Sequence, residues 1–434
     1  MRSLRIKYNL QKGGELSAIL TVPGTSGEAH MPPPWIVGAA MLPFGLVVGF
    51  TITALPYLLT RSGISLDRVA VVSATVMSPT FWGFLLNPIL DSGFSRRIYC
   101  WITLASAATC LPLGLWMLSL RHLGPCTEFL LVAELAVVLF ASAVTGWTAE
   151  FVPESARGPV GGWTNVANLG GGALGSLAIM SFVGHLDARW LGLGMMLAIL
   201  VGAIPLLFLP PARSSSFHLR EAFWTALKAT WEVCKRRESL IGFALLLAPA
   251  STAAAINLFS GLGQDFHTAS VTVIVVTGAG CAVTASIGSL LGGFASSRLP
   301  RGYVYLVAGI GAGLCALTMA FLPHDRTTFV VGVLLYNGFA GVTYASYSAL
   351  CLELVGHCNP VACTQMGLFA AATNGAIVYM TWADGRGYRH FGARGLLCVD
   401  GIAAITAAIP LLFLVHHQLR AREVQEELEE LHTT

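Results

Sequence analysis

Ser78–Trp101 reads SPTFWGFLLNPILDSGFSRRIYCW: an apolar helix ends in a short turn carrying Asp91, Arg96 and Arg97, and a second apolar helix begins. At an offset of 205 residues the stretch lies over a second copy, with Gly83 over Gly288, Leu85 over Leu290, Leu86 over Leu291 and Arg96 over Arg301, while Asp91 meets Ser296. Matches at one fixed offset point to two duplicated halves, and an internal repeat of that length sets the fold.

Only 11% of the 434 residues are charged, 55% are hydrophobic and 47 are glycine. That is too little charge to clothe a soluble protein of this size. Apolar runs long enough to cross a hydrocarbon core as helices recur along nearly the whole chain. Twelve spans are expected, at 35–60, 66–90, 99–118, 127–149, 157–183 and 188–209, then at 240–263, 269–296, 303–322, 328–354, 361–383 and 395–415. Each start falls close to 205 residues after its counterpart, which supports the duplication better than the matched residues do. The expected architecture is therefore an all-α membrane protein of twelve transmembrane helices in two six-helix pseudo-repeats. Its parts are an N-terminal segment 1–34, a six-helix bundle 35–209, a linker 210–239, a second six-helix bundle 240–415 and a charged tail 416–434.

With both termini cytoplasmic, the inner segments hold 17 of the 25 Lys and Arg. The positive-inside rule favours that orientation, although Arg386, Arg389 and Arg394 then share one outer loop. The first 34 residues contain one apolar run, Leu16–Val22, too short for a signal-peptide core, so no cleaved signal is expected. In the linker, FHLREAFWTALKATWEVCKRR sets Trp224 and Trp231 seven residues apart among Lys and Arg, the pattern of an amphipathic helix on the cytoplasmic membrane surface. A solvated linker helix is the plainer alternative. The ten cysteines are scattered, several inside spans, and read as small buried hydrophobes.

A charged group inside a span is costly unless it meets a partner or a watery cavity, which singles out Glu134 in LLVAELAVVLF. Ala141, Thr145 and Thr148 fall on its face of the helix. A proton-coupling or substrate role and a structural hydrogen bond are both open to it. Span 10 repeats the arrangement with Asn337, Gly341, Tyr344 and Ser348 on one face, flanked by Tyr336 and Tyr347. Asn165 and Asn168 in span 5, Asn257 in span 7 and Asn374 in span 11 are further amides in apolar helices, fit to hold a solute or to glue helices together. The run LGGGALGS, with Gly171 and Gly175 four apart, reads as a packing surface, and Pro43, Pro56, Pro79 and Pro88 bend helices or free backbone groups. Glu150 and Glu353 close spans 4 and 10 at nearly equivalent repeat positions, so inner-gate ion pairs with Arg157 or the Arg96/Arg97 turn are expected, against simple solvated helix ends. Asp400 is expected to pair with Arg394 in a structural role. His357, Cys358 and Cys363 match no zinc spacing, and no HExxH, phosphate loop or nucleophile elbow occurs. Neither a metal, a cofactor, a nucleic-acid partner nor an enzymatic activity is expected.

Twelve spans in two halves, a basic central loop and the Asp/Arg/Arg turn resemble the major facilitator superfamily, whose halves are parallel repeats around a midplane site. FLLNPILDSGFSRR after span 2, FVPESARGPVGGW opening span 5 and ACTQMGLFAAATNG opening span 11 are similar to the branch of muropeptide permeases, acetyl-CoA transporters and siderophore importers. Gly83 stands where that branch often has a lysine, and Gly146 with Glu150 where muropeptide permeases have paired acids. The resemblance implies a secondary transporter of a small organic solute, monomeric, in a bacterial inner membrane and coupled to protons. The expected substrate-binding residues are Asn165, Asn168, Asn257, Asn337, Tyr344 and Asn374. Glu134 and Glu150 are expected to carry coupling protons, with Asp91, Arg96, Arg97, Arg157, Arg301 and Glu353 as the gate. The rival from another class is a receptor or scaffold that binds a cytoplasmic partner through the Trp224/Trp231 helix.

Overall fold

The computed structural model describes residues 31–182, 185–212, 224, 228, 231, 237–356, 359 and 361–433. Nearly all of the N-terminal segment expected at 1–34, most of the 210–239 linker, and His357 with Cys358 lie outside the described residues. Trp224, Lys228 and Trp231 are helical, and both tryptophans are exposed.

Pro32–Thr434 is one compact unit. Its first half holds α1 (Pro34–Arg61), α2 (Asp67–Leu90), α3 (Arg96–Ser119), α4 (Leu123–Phe151), α5 (Arg157–Phe182) and α6 (Ala188–Phe208). In the second half α7 starts as Arg237–Leu247 and continues in separate turns, Pro249–Ser251, Ala254–Leu258 and Phe259–Leu262. Then follow α8 (Ser270–Ala295), α9 (Arg301–Phe321) and α10 (Arg326–Val355). Ala362–Thr433 is helical throughout except at a kink, which divides it into α11 (362–390) and α12 (393–433).

Among the described residues nine helices are long and apolar enough to cross a membrane. One of these contains both α11 and α12; adding glycine-rich α5 and broken α7 completes twelve. The chain is an integral membrane protein of twelve transmembrane helices, arranged as two sequential sets of six. Span 7, expected as one continuous helix, is the main departure. Pro249 has no N–H to carry the ladder across, and Ala253 adopts φ 52°, a left-handed conformation that ends regular pairing. At the repeat-equivalent place in α1, Phe50–Ala54 forms a π-helical turn just before Pro56, whose ring an unbroken α-turn would crowd. Span 11 also runs past its expected end at 383, because the polar residues beyond find partners: Arg386 stacks over the Trp382 ring at 4.0 Å. Gly392, at φ 61° and ψ −152°, makes the turn into α12.

The halves meet along two seams, α5 against α8 and α10, and α11 against α2 and α4. Lipid gives no hydrophobic drive for helix association, so close backbone approach has to do that work. A methyl on Gly158 would lie 2.5 Å from the Gly293 carbonyl oxygen, and one on Gly293 would lie 2.7 Å from that of Gly158. Only glycine fits at this crossing. Gly171 and Gly175 serve packing as expected: a methyl on Gly175 would sit 2.7 Å from the carbonyl oxygen of Leu46 on α1.

Candidate functional site

Between the halves lies a cavity of about 440 Å³, walled by α1, α2, α4 and α5 on one side and by α10 and α11 on the other. Its polar lining is neutral: Thr80, Ser142, Thr145, Thr148, Thr164, Asn165, Asn168, Tyr344, Tyr347, Ser348, Thr373 and Asn374. The remainder is aliphatic or aromatic, with Cys351, and no Asp, Glu, Lys, Arg or His is among the described lining residues. Asn165 spans the seam, its amide nitrogen lying 2.8 Å from Ser348 Oγ and 3.0 Å from the Tyr344 carbonyl of α10. Asn374 donates across the other seam to the Thr80 carbonyl of α2 at 3.2 Å. Asn168 makes no side-chain hydrogen bond among the described residues, so its amide is available to a solute.

One end of the cavity is shut by a clasp built on the Arg96 and Arg301 turns. Arg96 reaches Glu150 at 2.6 Å and Asp91 at 2.8 Å, and donates at 3.0 Å to the Asn359 carbonyl in the other half. Asp91 in turn accepts from the backbone N–H of Cys363 at 3.1 Å and from both the N–H and the hydroxyl of Thr364 at 2.8 Å. A carboxylate on the first turn of α11 also meets the positive end of that helix dipole. Arg301 repeats the device: it reaches Glu353 at 2.6 Å and donates to the Glu154 carbonyl of the first half at 2.9 Å. Glu154 and Asn359 are themselves 205 residues apart. Arg157 is buried at the start of α5 beside Arg301, Glu154 and Glu353, whereas Arg97 is half-buried and makes none of these bonds.

The repeat fails at Asp91, and the reason is local. Its counterpart Ser296 faces the first turn of α5, where Pro159 stands in place of Thr364 and has no N–H to offer.

Residues 37–379 match the family model described as Major Facilitator Superfamily. The chain belongs to the major facilitator superfamily. Solved structures of similar fold include the human organic anion transporter MFSD10 (TETRAN), at 16% identity and TM-score 0.66, covering 88% of this chain and 100% of that one. The proton:xylose symporter XylE bound to 6-bromo-6-deoxy-D-glucose is 11% identical with a TM-score of 0.67, covering 87% and 94%. The E. coli fucose:proton symporter FucP is 11% identical with a TM-score of 0.68, covering 88% and 98%. These identities speak for the fold alone. No curated protein matches the sequence at a significant level.

Of the residues expected to bind solute, this superfamily member brings Asn165, Asn168, Tyr344 and Asn374 to the cavity, together with the Ala141, Thr145 and Thr148 stripe of α4. Asn337 lies elsewhere, buried and donating to the Val333 carbonyl of its own helix, and Asn257 donates to Thr381 at 3.2 Å near an exposed edge. Glu134 is buried one turn beyond Val138, the last cavity residue of α4 on that side, and meets Thr51 of α1 at 2.9 Å. Glu150 stands in the clasp, at the opposite end of α4. Asp400 does not meet Arg394, which is exposed; it accepts instead from the Tyr336 hydroxyl at 2.9 Å. Sequence reasoning missed Thr51, Asp384 and Asn87, the last of which donates to Ser142 and across the seam to the Cys363 carbonyl. It could have found the Glu154/Asn359 pair by carrying the 205-residue offset into the loops.

Proposed function

We propose that the chain is a secondary transporter in which the halves, 35–209 and 240–415, rock about the central cavity by alternating access. The observation that carries this reading is the doubled clasp: two repeat-related arginines each bridge from one half to the other at a single end of a polar cavity. Among the described residues every hydrogen bond joining the halves lies between that end and the level of Thr80 and Asn374. This is the arrangement of a state shut at one face. Charge distribution supports assigning the shut face to the cytoplasm, with both termini there.

A volume of about 440 Å³ lies within the usual range of small-molecule sites. The neutral lining matches a solute rich in amide and hydroxyl groups, such as a muropeptide or a siderophore. The phosphates of acetyl-CoA would be desolvated there without a cationic partner, at high cost.

Proton coupling finds support in a proton count at Thr51. Its hydroxyl lies 3.0 Å from the Val47 carbonyl and 2.9 Å from Glu134 Oε2, two acceptors for one proton. A protonated Glu134 supplies the second: it donates to Thr51, which donates to Val47. Ionising Glu134 breaks one of the two bonds in the π-turned segment of α1, so protonation and the shape of α1 are linked.

The test is thermal stabilisation of the purified protein by a muropeptide, a ferric siderophore and acetyl-CoA, followed by flux in proteoliposomes at several pH values. A ligand at 100 times its Kd raises stability by about 2.7 kcal/mol. Stabilisation by either of the first two, reduced to about half in Asn165→Ala at the same ligand concentration, is expected. Absence of flux for every solute, with a protein partner retained by the Trp224/Trp231 segment, would replace the transporter by a receptor.

A further inference from the structure

Asp384 on α11 and Asp400 on α12 are buried inside the second half, at 0% and 3% exposure, and neither lines the central cavity. Asp400 accepts from Tyr336 and faces the backbone N–H of Ala255 in broken α7. Both carboxyl oxygens of Asp384 are buried with no hydrogen-bond partner among the described residues, and Gly387, packed on Gly395 and Val399, holds α11 against α12 beside the two acids, close enough for their charges to repel. Beside Asp400 the break in α7 leaves a cavity of about 10 Å³, bordered by Ser251, Thr252 and Thr343. That is the size of one water, and its wall offers the polar partners a water needs. Around it the packing is apolar: Ala255, Phe259 and Ala312 belong to the core of this half.

The fold does not require acids here. At the same offset of 205 residues the first half places Ile179 and Met195, buried at 3% and 2% exposure. Two carboxylates have thus replaced two packing residues in one repeat only. Among the described residues no cation offsets them: α10 presents Tyr336 and Tyr344, α9 presents Cys315, the facing part of α7 presents no titratable side chain, and α11 and α12 present the two acids themselves. Two such groups cannot both be ionised in apolar surroundings. One proton bound by the pair removes a charge that the apolar surroundings penalise.

We propose that Asp384 and Asp400 form a proton-carrying site of the second half, which holds one proton on its pair of carboxyls while the clasp is shut and releases it through the water-sized cavity beside broken α7. On release the carboxyl O–H bond breaks, the proton passes to the cavity water and on to solvent, and the pair is left one charge more negative. Asp400 is eight residues from Gly392, about 12 Å along the helix from the end opposite the clasp. Protons therefore reach the site from the face that the clasp leaves unsealed. The inference rests on the proton-coupled reading but not on the identity of the solute, and its readout needs no solute.

The experiment is infrared spectroscopy of the full-length protein in lipid, following the carboxylic-acid C=O band at neutral pH. Wild type is expected to show two protonated carboxyls, Glu134 and the pair. Asp384→Asn and Asp400→Asn should each lower the band by about half, since the introduced amide donates to the remaining acid and lets it ionise. Glu134→Gln should keep the pair's component, so if the Asn variants do not fold, the band in Glu134→Gln alone decides: its absence overturns the proposal. So does an unchanged band in both Asn variants. A melting temperature raised by Na⁺ but not by choline at equal ionic strength, and lost in Asp400→Asn, would put a metal ion in place of the proton and also overturn it. Failure of flux with an intact pair component would refute the transport reading while leaving this site standing.

Discussion

Removing the Arg96 guanidinium tests whether the clasp sets the conformational equilibrium. Its side chain and that of Glu150 are each 9% exposed, and that of Asp91 is 1% exposed. Asp91 keeps three donors on α11 when the arginine is gone, whereas Glu150 loses its 2.6 Å contact with Arg96 inside the shut interface. Breaking a buried pair from one side costs about 3 kcal/mol. Opening the clasp would hydrate Glu150, so that cost falls on the shut state, and about 3 kcal/mol shifts the shut-to-open ratio by about 150-fold. Cys363 is a native reporter: it is fully buried against Gly146 at the clasp. Its alkylation, mapped by mass spectrometry, follows the open population when closing is fast. We expect the rate at Cys363 to rise about 100-fold in Arg96→Ala, and to rise less in Arg96→Ala/Glu150→Ala, where the buried carboxylate is removed together with its arginine. Arg301→Ala should raise it only about fivefold, since Glu353 and Glu154 side chains, 31% and 75% exposed, already reach water. An unchanged rate in folded Arg96→Ala, or a larger effect from Arg301→Ala, would refute the reasoning.

Glu134→Gln keeps a donor toward Thr51 and should cost under about 1 kcal/mol of stability while removing the pH dependence of uptake; retained pH dependence would exclude Glu134 as a coupling group. Asn165→Ala strips the amide that ties α5 to Tyr344 and Ser348 and should weaken solute binding about tenfold, read by calorimetry against an unchanged melting temperature in detergent without solute. Gly158→Val wedges a side chain against the Gly293 carbonyl and should open the shut end, giving fast Cys363 alkylation even with both arginines present. Asp325 caps α10 outside the membrane, and the Thr328 N–H it accepts at 2.8 Å holds its carboxyl below the usual carboxylate range. That stabilisation is fully present above the ordinary Asp pKa and is lost as pH falls through the lowered value, so acid melting of Asp325→Asn should lack this contribution.

Span number, span placement and the duplication were legible because lipid imposes one solution on the backbone, and hydropathy records it directly. An ion pair of Glu150 with the Arg96/Arg97 turn was legible for a related reason, since charges at span ends have few places to go, whereas among the described residues Glu353 pairs with Arg301 and neither with Arg157 nor with that turn. Sequence did not show which amides face inward. Asn165 and Asn337 sit in equally apolar helices and each donates to its own backbone four residues earlier, yet only Asn165 also lines the cavity and reaches α10, because rotation about a helix axis is set by packing on neighbours. Broken α7 was hidden for the same reason: Pro249 alone reads as a bend, and only the left-handed Ala253 makes it a break.

The departures from the repeat carry more about function than the repeat does. Where the halves agree, as at Arg96 and Arg301, each arginine bonds a backbone carbonyl of the other half. α4 and α10 align at 203 residues, which sets Glu150 over Glu353 and Glu134 over Asn337, an acid in one half against an amide in the other. In the second half the acids lie instead at Asp384 and Asp400, over Ile179 and Met195. Each half therefore carries its own buried carboxyl chemistry, one beside the π-turn of α1 and one beside the break of α7, at repeat-equivalent irregularities of the backbone. Irregular helices are where protonation can alter backbone hydrogen bonding at low cost, since their ladders are already incomplete. If the two sites act together, restoring continuous helix in α7 by Pro249→Ala with Ala253→Leu should abolish pH-dependent uptake as completely as Glu134→Gln does, while leaving clasp closure, read at Cys363, unaltered. A straightened α7 with full pH dependence would confine coupling to the first half.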